Sequence, residues 1–195
     1  MDFYTGNCHK WLCGPKGAAF LWVAEEFRAT AVAAVISHGH NDGWPASGSR
    51  FHAQFDWVGT DDPTPRLCVA DAIETMAGHR PGGWSELRAT NRALALGGRS
   101  VVLEALGERE PAPDAMIGSM ASVIVPDETG TSPGIFDSLT TCLQENWAIE
   151  VPVFTWPAAP RRLLRLSAQQ YNGPRDYERL AEALRDVFAG AGGPR

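Results

Sequence analysis

The pattern of apolar and polar positions predicts strands and helices that follow one another along the chain. Residues 17–24 and 30–37 are continuous apolar runs, each bounded by turn residues. Short runs of this kind are typical of strands that are buried on both faces of an α/β sheet. Residues 38–49 are rich in Gly, Asn, Asp, Pro and Ser and predict a loop, whereas residues 65–76 predict a helix.

The C-terminal part has more regular patterning. Helical spacing predicts helices over 84–106, over 133–147 and after Pro174, and shorter apolar segments predict strands at 116–125, 151–156 and 163–171. In the last strand, alternation places Leu164, Leu166 and Ala168 on one face and Arg165, Ser167 and Gln169 on the other. Gly97 and Gly98 argue against one straight helix over 84–106, since each costs ~1 kcal/mol relative to alanine. The elements together predict an α/β or α+β arrangement of two small layers.

Composition and charge exclude several classes of protein. The chain has 195 residues, of which 44% are hydrophobic, so it can bury a core. Its net charge of -6 argues against a nucleic-acid-binding surface. Its apolar stretches are far shorter than the ~20 residues that a membrane-spanning helix needs, and its first residues do not resemble a signal peptide. Cysteines without regular spacing predict reduced thiols in a cytoplasmic protein; they are Cys8, Cys13, Cys68 and Cys142.

A metal site is the first chemical possibility, because histidines cluster near the predicted loop. His38 and His40 are two residues apart, and Asn41, Asp42 and His52 follow. Zinc binds His and Asp ligands, but no cysteine lies at ligand spacing and the segment is loop-like. We therefore predict no metal site.

The segment over residues 6–17 is the more informative candidate. Lys10 and Lys16 are the two lysines of the chain, and Lys10 lies between His9 and Trp11, shortly before a buried strand is predicted. Partial desolvation between these rings would favour the neutral amine that Schiff-base chemistry needs. On residue types alone, the favoured alternative is a surface lysine whose stem packs on Trp11. Lys16 lies in a Pro-Lys-Gly turn, and we interpret it as structural.

The same segment resembles the Schiff-base motif of class V aminotransferase-fold, pyridoxal-phosphate-dependent enzymes, and most of all their isopenicillin N epimerase-like branch. The matching positions are Gly6, Asn7, His9, Lys10, Trp11, Leu12, Pro15, Lys16 and Gly17. The resemblance continues through residues 37–39, 55–57, 59–64, 164–168 and 171–172. Several ordered motifs together are specific where any one of them would be weak.

The resemblance implies a pyridoxal-phosphate-dependent transferase-like fold of the α/β class. Residues 1–77 would be the C-terminal portion of the large cofactor-binding domain. Residues 78–195 would be the connecting helix and the small α+β C-terminal domain. The enzyme would be a homodimer that acts on an amino acid.

The resemblance also implies roles for individual residues. Lys10 would form the internal aldimine with pyridoxal phosphate and later move protons at the substrate Cα. His9 would lie near the cofactor phosphate, and Thr60 would reach the phosphate bound in the partner subunit. Arg165 would bind the substrate carboxylate, because a guanidinium presents a planar fork to it. Without the resemblance, a surface ion pair would be the better interpretation of Arg165.

The chain also departs from the family pattern. In the family, the N-terminal half supplies the aspartate that pairs with the pyridine nitrogen, the ring-stacking aromatic residue and most of the phosphate cradle. The 195 residues of this chain do not include that half. We therefore expect the chain alone to be inactive, to bind the cofactor weakly, and to be poorly soluble or oligomeric. A truncated remnant or dimerisation module is the alternative to an enzyme.

The reaction type stays open at the level of sequence. Aminotransfer, epimerisation and β-elimination, including that of a carbon–sulfur lyase, begin from the same adduct. A persulfide mechanism is disfavoured, because no cysteine follows Arg165 closely and Cys142 lies near the apolar stripe of its predicted helix.

Overall fold

The structure is a computed structural model that describes residues 1–41, 48–127 and 137–191. The chain divides into two compact units, Met1–His79 and Arg80–Arg195. The assignment of residues 1–77 and 78–195 to the large and small domains of the family stays a prediction.

The first unit contains an antiparallel hairpin and short helices. Strands β1 (Phe3–Asn7) and β2 (Ala19–Val23) pair so that Tyr4 lies opposite Trp22. The helices are α1 (Glu25–Arg28), α2 (Arg50–Asp56), α3 (Thr64–Leu67) and α4 (Val69–Gly78). The helix predicted over residues 65–76 is therefore confirmed, although it is divided at Cys68.

Two expectations for this unit were wrong. Residues 30–37 form no strand, and Val32, Val35 and Ile36 are exposed. Residues 17–24 do contain β2, but that strand is largely exposed instead of buried on both faces. A short apolar run does not by itself specify its element or its neighbours, because burial of a strand depends on chain segments that pair with it and cover it.

The exposed hairpin predicts that the 195-residue chain will self-associate. Tyr4 is 54% exposed, Trp22 44% and Phe20 44%, and the rings of Tyr4 and Phe20 lie 5.3 Å apart. A two-stranded hairpin is marginally stable alone, and a contiguous exposed apolar patch favours association. Light scattering after size exclusion should therefore give a mass above that of the monomer.

Charged substitutions provide the control for this prediction. The double variant Tyr4→Lys with Trp22→Lys should shift the chain towards the monomer. Met116→Lys replaces an exposed apolar residue of the second unit and should leave the mass unchanged. A monomeric wild-type chain would contradict the prediction.

The second unit packs helices against an antiparallel sheet. In the described residues the sheet has the strand order β3 (Met120–Val125), β5 (Arg162–Ser167), β4 (Val153–Thr155). The helices are α5 (Gly83–Leu106), α6 (Ser138–Trp147) and α7 (Pro174–Ala191). Side chains of α5, α6, α7 and the sheet share one core, which includes Val102, Val123, Leu143, Leu164, Leu166 and Leu184.

Most elements predicted for this unit are confirmed. The predicted helix over 84–106 is one continuous α5, despite its two glycines. Strands β3 and β4 lie within the predicted segments, whereas β5 begins one residue before its predicted segment and ends four residues before the end of it. The predicted start of α6 at Pro133 lies outside the described residues. Gln169 was wrongly placed on the polar face: it is buried, because β5 ends at Ser167 and the alternation does not continue into the following turn.

The two adjacent glycines of α5 have opposite environments, which gives a matched pair of substitutions. A Cβ on Gly98 would lie 2.6 Å from the ring of Tyr177, whereas one on Gly97 would meet no atom within 4 Å. Gly98→Ala should therefore lower the free energy of unfolding by roughly 1–3 kcal/mol through overpacking. Gly97→Ala should raise it by up to ~1 kcal/mol through helix propensity.

Urea unfolding of the chain, followed by circular dichroism, measures both effects. A Gly98→Ala variant as stable as the Gly97→Ala variant would show that Tyr177 yields to the added methyl group at little cost.

Candidate cofactor and substrate site

Lys10 lies near the tip of the connection between β1 and β2, in a turn that backbone hydrogen bonds hold. The Cys13 N–H donates to the Lys10 carbonyl at 3.0 Å, and the Gly14 N–H donates to the Cys8 carbonyl at 2.9 Å. Cys13 has a left-handed backbone with φ of 57°, which is unusual for a residue other than glycine. Buried Cys8 anchors the base of this turn. The turn thus projects Lys10 away from the core of the first unit.

The expected desolvation of Lys10 is not present among the described residues. Lys10 is exposed, and Trp11 is only half-buried. The expectation was wrong because neighbours in sequence do not enclose a side chain at the tip of a turn. An exposed amine is, however, accessible to a cofactor carbonyl.

His9 supplies an unused polar atom beside Lys10. Its Nδ1 is buried and has no hydrogen-bond partner among the described residues. Buried polar atoms are nearly always paired, and an unpaired one costs about 1–3 kcal/mol. A phosphate oxygen is the kind of group that such a ring nitrogen can bond. The unpaired nitrogen therefore fits a phosphorylated cofactor at the lysine turn.

Thr60 lies on a second loop of the first unit, between α2 and α3. It is exposed, and within the described residues its side chain makes no hydrogen bond. Two residues further on, Asp62 accepts hydrogen bonds from the Thr64 hydroxyl at 2.6 Å and its N–H at 2.9 Å, and these lower the pKa of the Asp62 carboxyl. Asp61 lies 3.6 Å from Arg66. The negative charges of Asp61 and Asp62 disfavour the binding of an anion at Thr60, and the positive charge of Arg66 partly offsets them.

The lysine turn packs against the helices that follow the Thr60 loop. A Cβ on Gly17 would lie 3.3 Å from Cγ of Pro65 in α3, and one on Gly14 would lie 3.7 Å from the Ala72 side chain in α4. The first unit thus places the turn that carries Lys10 next to the helices that continue from Thr60.

Arg165 belongs to the second unit, where it lies on the exposed face of β5. Its guanidinium makes no ion pair within the described part of the chain. Its backbone N–H donates to the Pro152 carbonyl at 3.0 Å. It lines a cleft of about 260 Å³ that is walled by the loop over 148–152, the end of β5 and the start of α7.

Other charged groups share the Arg165 cleft. Glu150, Asp176 and Arg179 line it as well, and Arg179 donates to the Trp147 carbonyl at the end of α6. Asp176 accepts hydrogen bonds from the Gly173 N–H and the Asn172 side chain. Of the two arginines that line the cleft, Arg179 thus bonds a backbone carbonyl, whereas the Arg165 guanidinium makes no hydrogen bond within the described residues.

Sequence reasoning missed a set of bonded polar residues that leads to this cleft. Asn91 and Gln169 are buried and bonded to one another, and Asn172 lies on the cleft wall. One signal was available in the sequence, because Asn91 occupies a position of α5 where the helical spacing calls for an apolar residue.

The histidine cluster forms local pairs. His38 Nδ1 lies 3.3 Å from the Asn41 side chain, and His52 lies 3.2 Å from Asp56. Asp42 is outside the described residues. Within the described ranges, no group of three or more His, Cys, Asp and Glu side chains is arranged to hold a metal ion.

Two further global features bear on the site. Cys8, Cys13, Cys68 and Cys142 are all free thiols. None of the helices in the described part of the chain combines the length and apolarity needed to cross a membrane.

Comparison with known proteins assigns the fold and identifies sequence relatives. No family model matches the chain. A cysteine desulfurase from Thermococcus onnurineus NA1 superimposes with a TM-score of 0.66 at 20% identity, over 97% of this chain and 47% of that protein. The fold is therefore that of part of a pyridoxal-phosphate-dependent transferase, as predicted.

Sequence relatives extend this assignment. The isopenicillin N epimerase of Streptomyces clavuligerus is 32% identical over 97% of this chain and 48% of its own length. An L-cysteine desulfhydrase of Arabidopsis thaliana is 25% identical over 95% of this chain and 42% of its own length. This chain is a relative of the class V pyridoxal-phosphate-dependent enzymes, and a C-terminal fragment of them fits the match. It spans about half the length of the curated relatives it matches.

Proposed function

We propose that the protein containing this chain is a pyridoxal-phosphate-dependent enzyme that acts on an amino acid. The observation that carries the proposal is the turn over residues 6–17, where an accessible lysine adjoins a buried, unpaired histidine nitrogen. The sequence similarity that extends over 97% of the chain supports it further.

Each residue of the site has a defined task in this proposal. Lys10 Nζ holds the cofactor covalently and carries the proton that leaves or enters at the substrate Cα. His9 Nδ1 bonds a phosphate oxygen of the cofactor, and Thr60 bonds the phosphate in the partner subunit of a homodimer. Arg165 binds the substrate carboxylate through its planar guanidinium. When bound, pyridoxal phosphate supplies the electron sink that stabilises negative charge at the Cα.

Epimerisation is the first candidate reaction, since the isopenicillin N epimerases are 32% and 33% identical to this chain. Cleavage of a carbon–sulfur bond is the second candidate, because the L-cysteine desulfhydrases match over a similar share of the chain. A persulfide mechanism lacks support in the described residues, where Cys142 is half-buried in α6 and accepts a hydrogen bond from Asn146.

One experiment separates these functions. The full-length protein, loaded with pyridoxal phosphate, is incubated with isopenicillin N and, separately, with L-cysteine. Chiral chromatography of the first and sulfide release from the second are then measured. We expect epimerisation without sulfide. Sulfide release would establish the lyase instead, and failure to bind the cofactor at all would favour the non-catalytic remnant.

A cytoplasmic homodimer completes the proposal. The four free thiols are typical of a reducing compartment. Sequencing the DNA upstream of the Met1 codon tests the remnant directly, since an open frame that encodes the rest of the class V fold supports the enzyme.

A further inference from the structure

A buried pair of amide side chains links α5 to the turn that follows β5. Asn91 is 2% exposed and Gln169 is 3% exposed. The Asn91 Nδ2 donates to Gln169 Oε1 at 2.9 Å, across a separation of 78 residues. A buried amide that loses its partner is left desolvated and unpaired, so this bond favours one arrangement of the turn.

The bond continues through Gln169 towards the Arg165 cleft. Gln169 Oε1 also accepts from the Gln170 N–H at 2.9 Å, and the Gln169 N–H donates to Asn172 Oδ1 at 3.1 Å. The Asn172 N–H returns a hydrogen bond of 2.8 Å to the Gln169 carbonyl. Asn172 itself lines the cleft together with Arg165. The buried pair thus holds the segment that ends at Asn172, which lies in the wall of the cleft.

The other end of this segment is held as well. The Ala168 N–H donates to the Ser119 carbonyl at 2.8 Å, and the Tyr177 hydroxyl donates to the Ser167 carbonyl at 2.9 Å. With the strand end tied in this way, the remaining freedom lies in residues 169–172. The hydrogen bond from Asn91 to Gln169 restrains the first residue of that segment.

We propose that Asn91 and Gln169 are positioning residues for the binding of a carboxylate by Arg165. The inference rests on the proposed function, because it requires that Arg165 binds a substrate carboxylate. An arginine side chain loses rotamer entropy when its fork is held in one direction, and a fixed cleft wall beside it lowers that cost. Release of the wall should weaken binding of the carboxylate and leave binding of the amine unaffected.

The test uses two probes that differ by one carboxylate, L-serine and ethanolamine. Their dissociation constants are measured by calorimetry with the full-length, cofactor-loaded protein. The variants are Asn91→Leu, Gln169→Met and the double variant, which remove the bond but keep side-chain size. We expect the preference for L-serine over ethanolamine to fall by about 10-fold in each single variant and no further in the double variant, as for coupled neighbours.

Two controls separate positioning from general destabilisation. Val102→Ala weakens the same core at a fully buried position away from the pair and should leave the preference unchanged. Arg165→Lys should remove most of the preference.

The outcomes distinguish the two proposals. If Arg165→Lys removes the preference but Asn91→Leu and Gln169→Met keep it, the positioning role is overturned and the carboxylate site stands. An equal loss in Val102→Ala would likewise overturn positioning, since any weakened core would then suffice. If the wild-type protein does not prefer L-serine to ethanolamine, the carboxylate site itself is wrong, and the positioning role falls with it.

Discussion

Lys10→Ala in the full-length protein should abolish the covalent attachment of pyridoxal phosphate to the polypeptide that borohydride reduction makes permanent. The side chain lies exposed in its turn, so the substitution removes no packing and should leave the fold intact. Turnover should fall by roughly 10³-fold or more, as is typical when a residue that acts at the reacting atoms is removed. Peptide mapping after reduction, together with the absorption of the bound cofactor, measures the first effect.

Lys16→Ala is the matched control for Lys10. It removes the other lysine of the same connection between β1 and β2, with the same loss of charge. It should retain the trapped cofactor and most of the activity. An adduct mapped to Lys16, or none on either lysine, would overturn the assignment of Lys10.

Arg165→Lys should lower kcat/KM. The expected loss of transition-state stabilisation is about 2–4 kcal/mol, the range for breaking a charge pair that is desolvated in the complex. A lysine keeps the positive charge but presents a point charge, so it cannot bond both carboxylate oxygens in the plane of a fork. Steady-state kinetics with an amino-acid substrate gives the value.

Arg185→Lys provides the comparison for this substitution. Arg185 is exposed on α7 and does not line the cleft, so the same chemical change should leave kcat/KM unaltered there. Unchanged kinetics in Arg165→Lys as well would mean that Arg165 does not bind substrate.

The two units differ in how far their elements could be predicted from sequence. In the second unit, helical spacing identified α5 and α7, and alternation placed Leu164 and Leu166 inside and Arg165 outside, because these elements bury one face against their own neighbours. In the first unit, residues 30–37 looked like a strand but form none. Their apolar character does not specify a partner, and a strand requires one.

The candidate site divides in a similar way. Lys10 and Arg165 could be named as candidates because ordered motifs surround them in sequence, and the resemblance itself is confirmed by the relatives. Their roles stay predictions. The exposure of Lys10, the unpaired nitrogen of His9 and the bond between Asn91 and Gln169 were not. Each depends on which distant segments approach, and a bond across 78 residues leaves no periodic trace in the sequence.

The contact between Gly98 and Tyr177 has a consequence for the evolution of this chain and its homologues. The Tyr177 ring leaves no space for a methyl group at Gly98 on the facing helix, so substitutions at the two positions should be coupled. Lineages that acquire a bulkier residue at the position of Gly98 should carry a smaller one at that of Tyr177, and reversal should require both changes. In an alignment of homologues, the columns of Gly98 and Tyr177 should therefore covary. The column of Gly97, which faces open space, should vary independently of both.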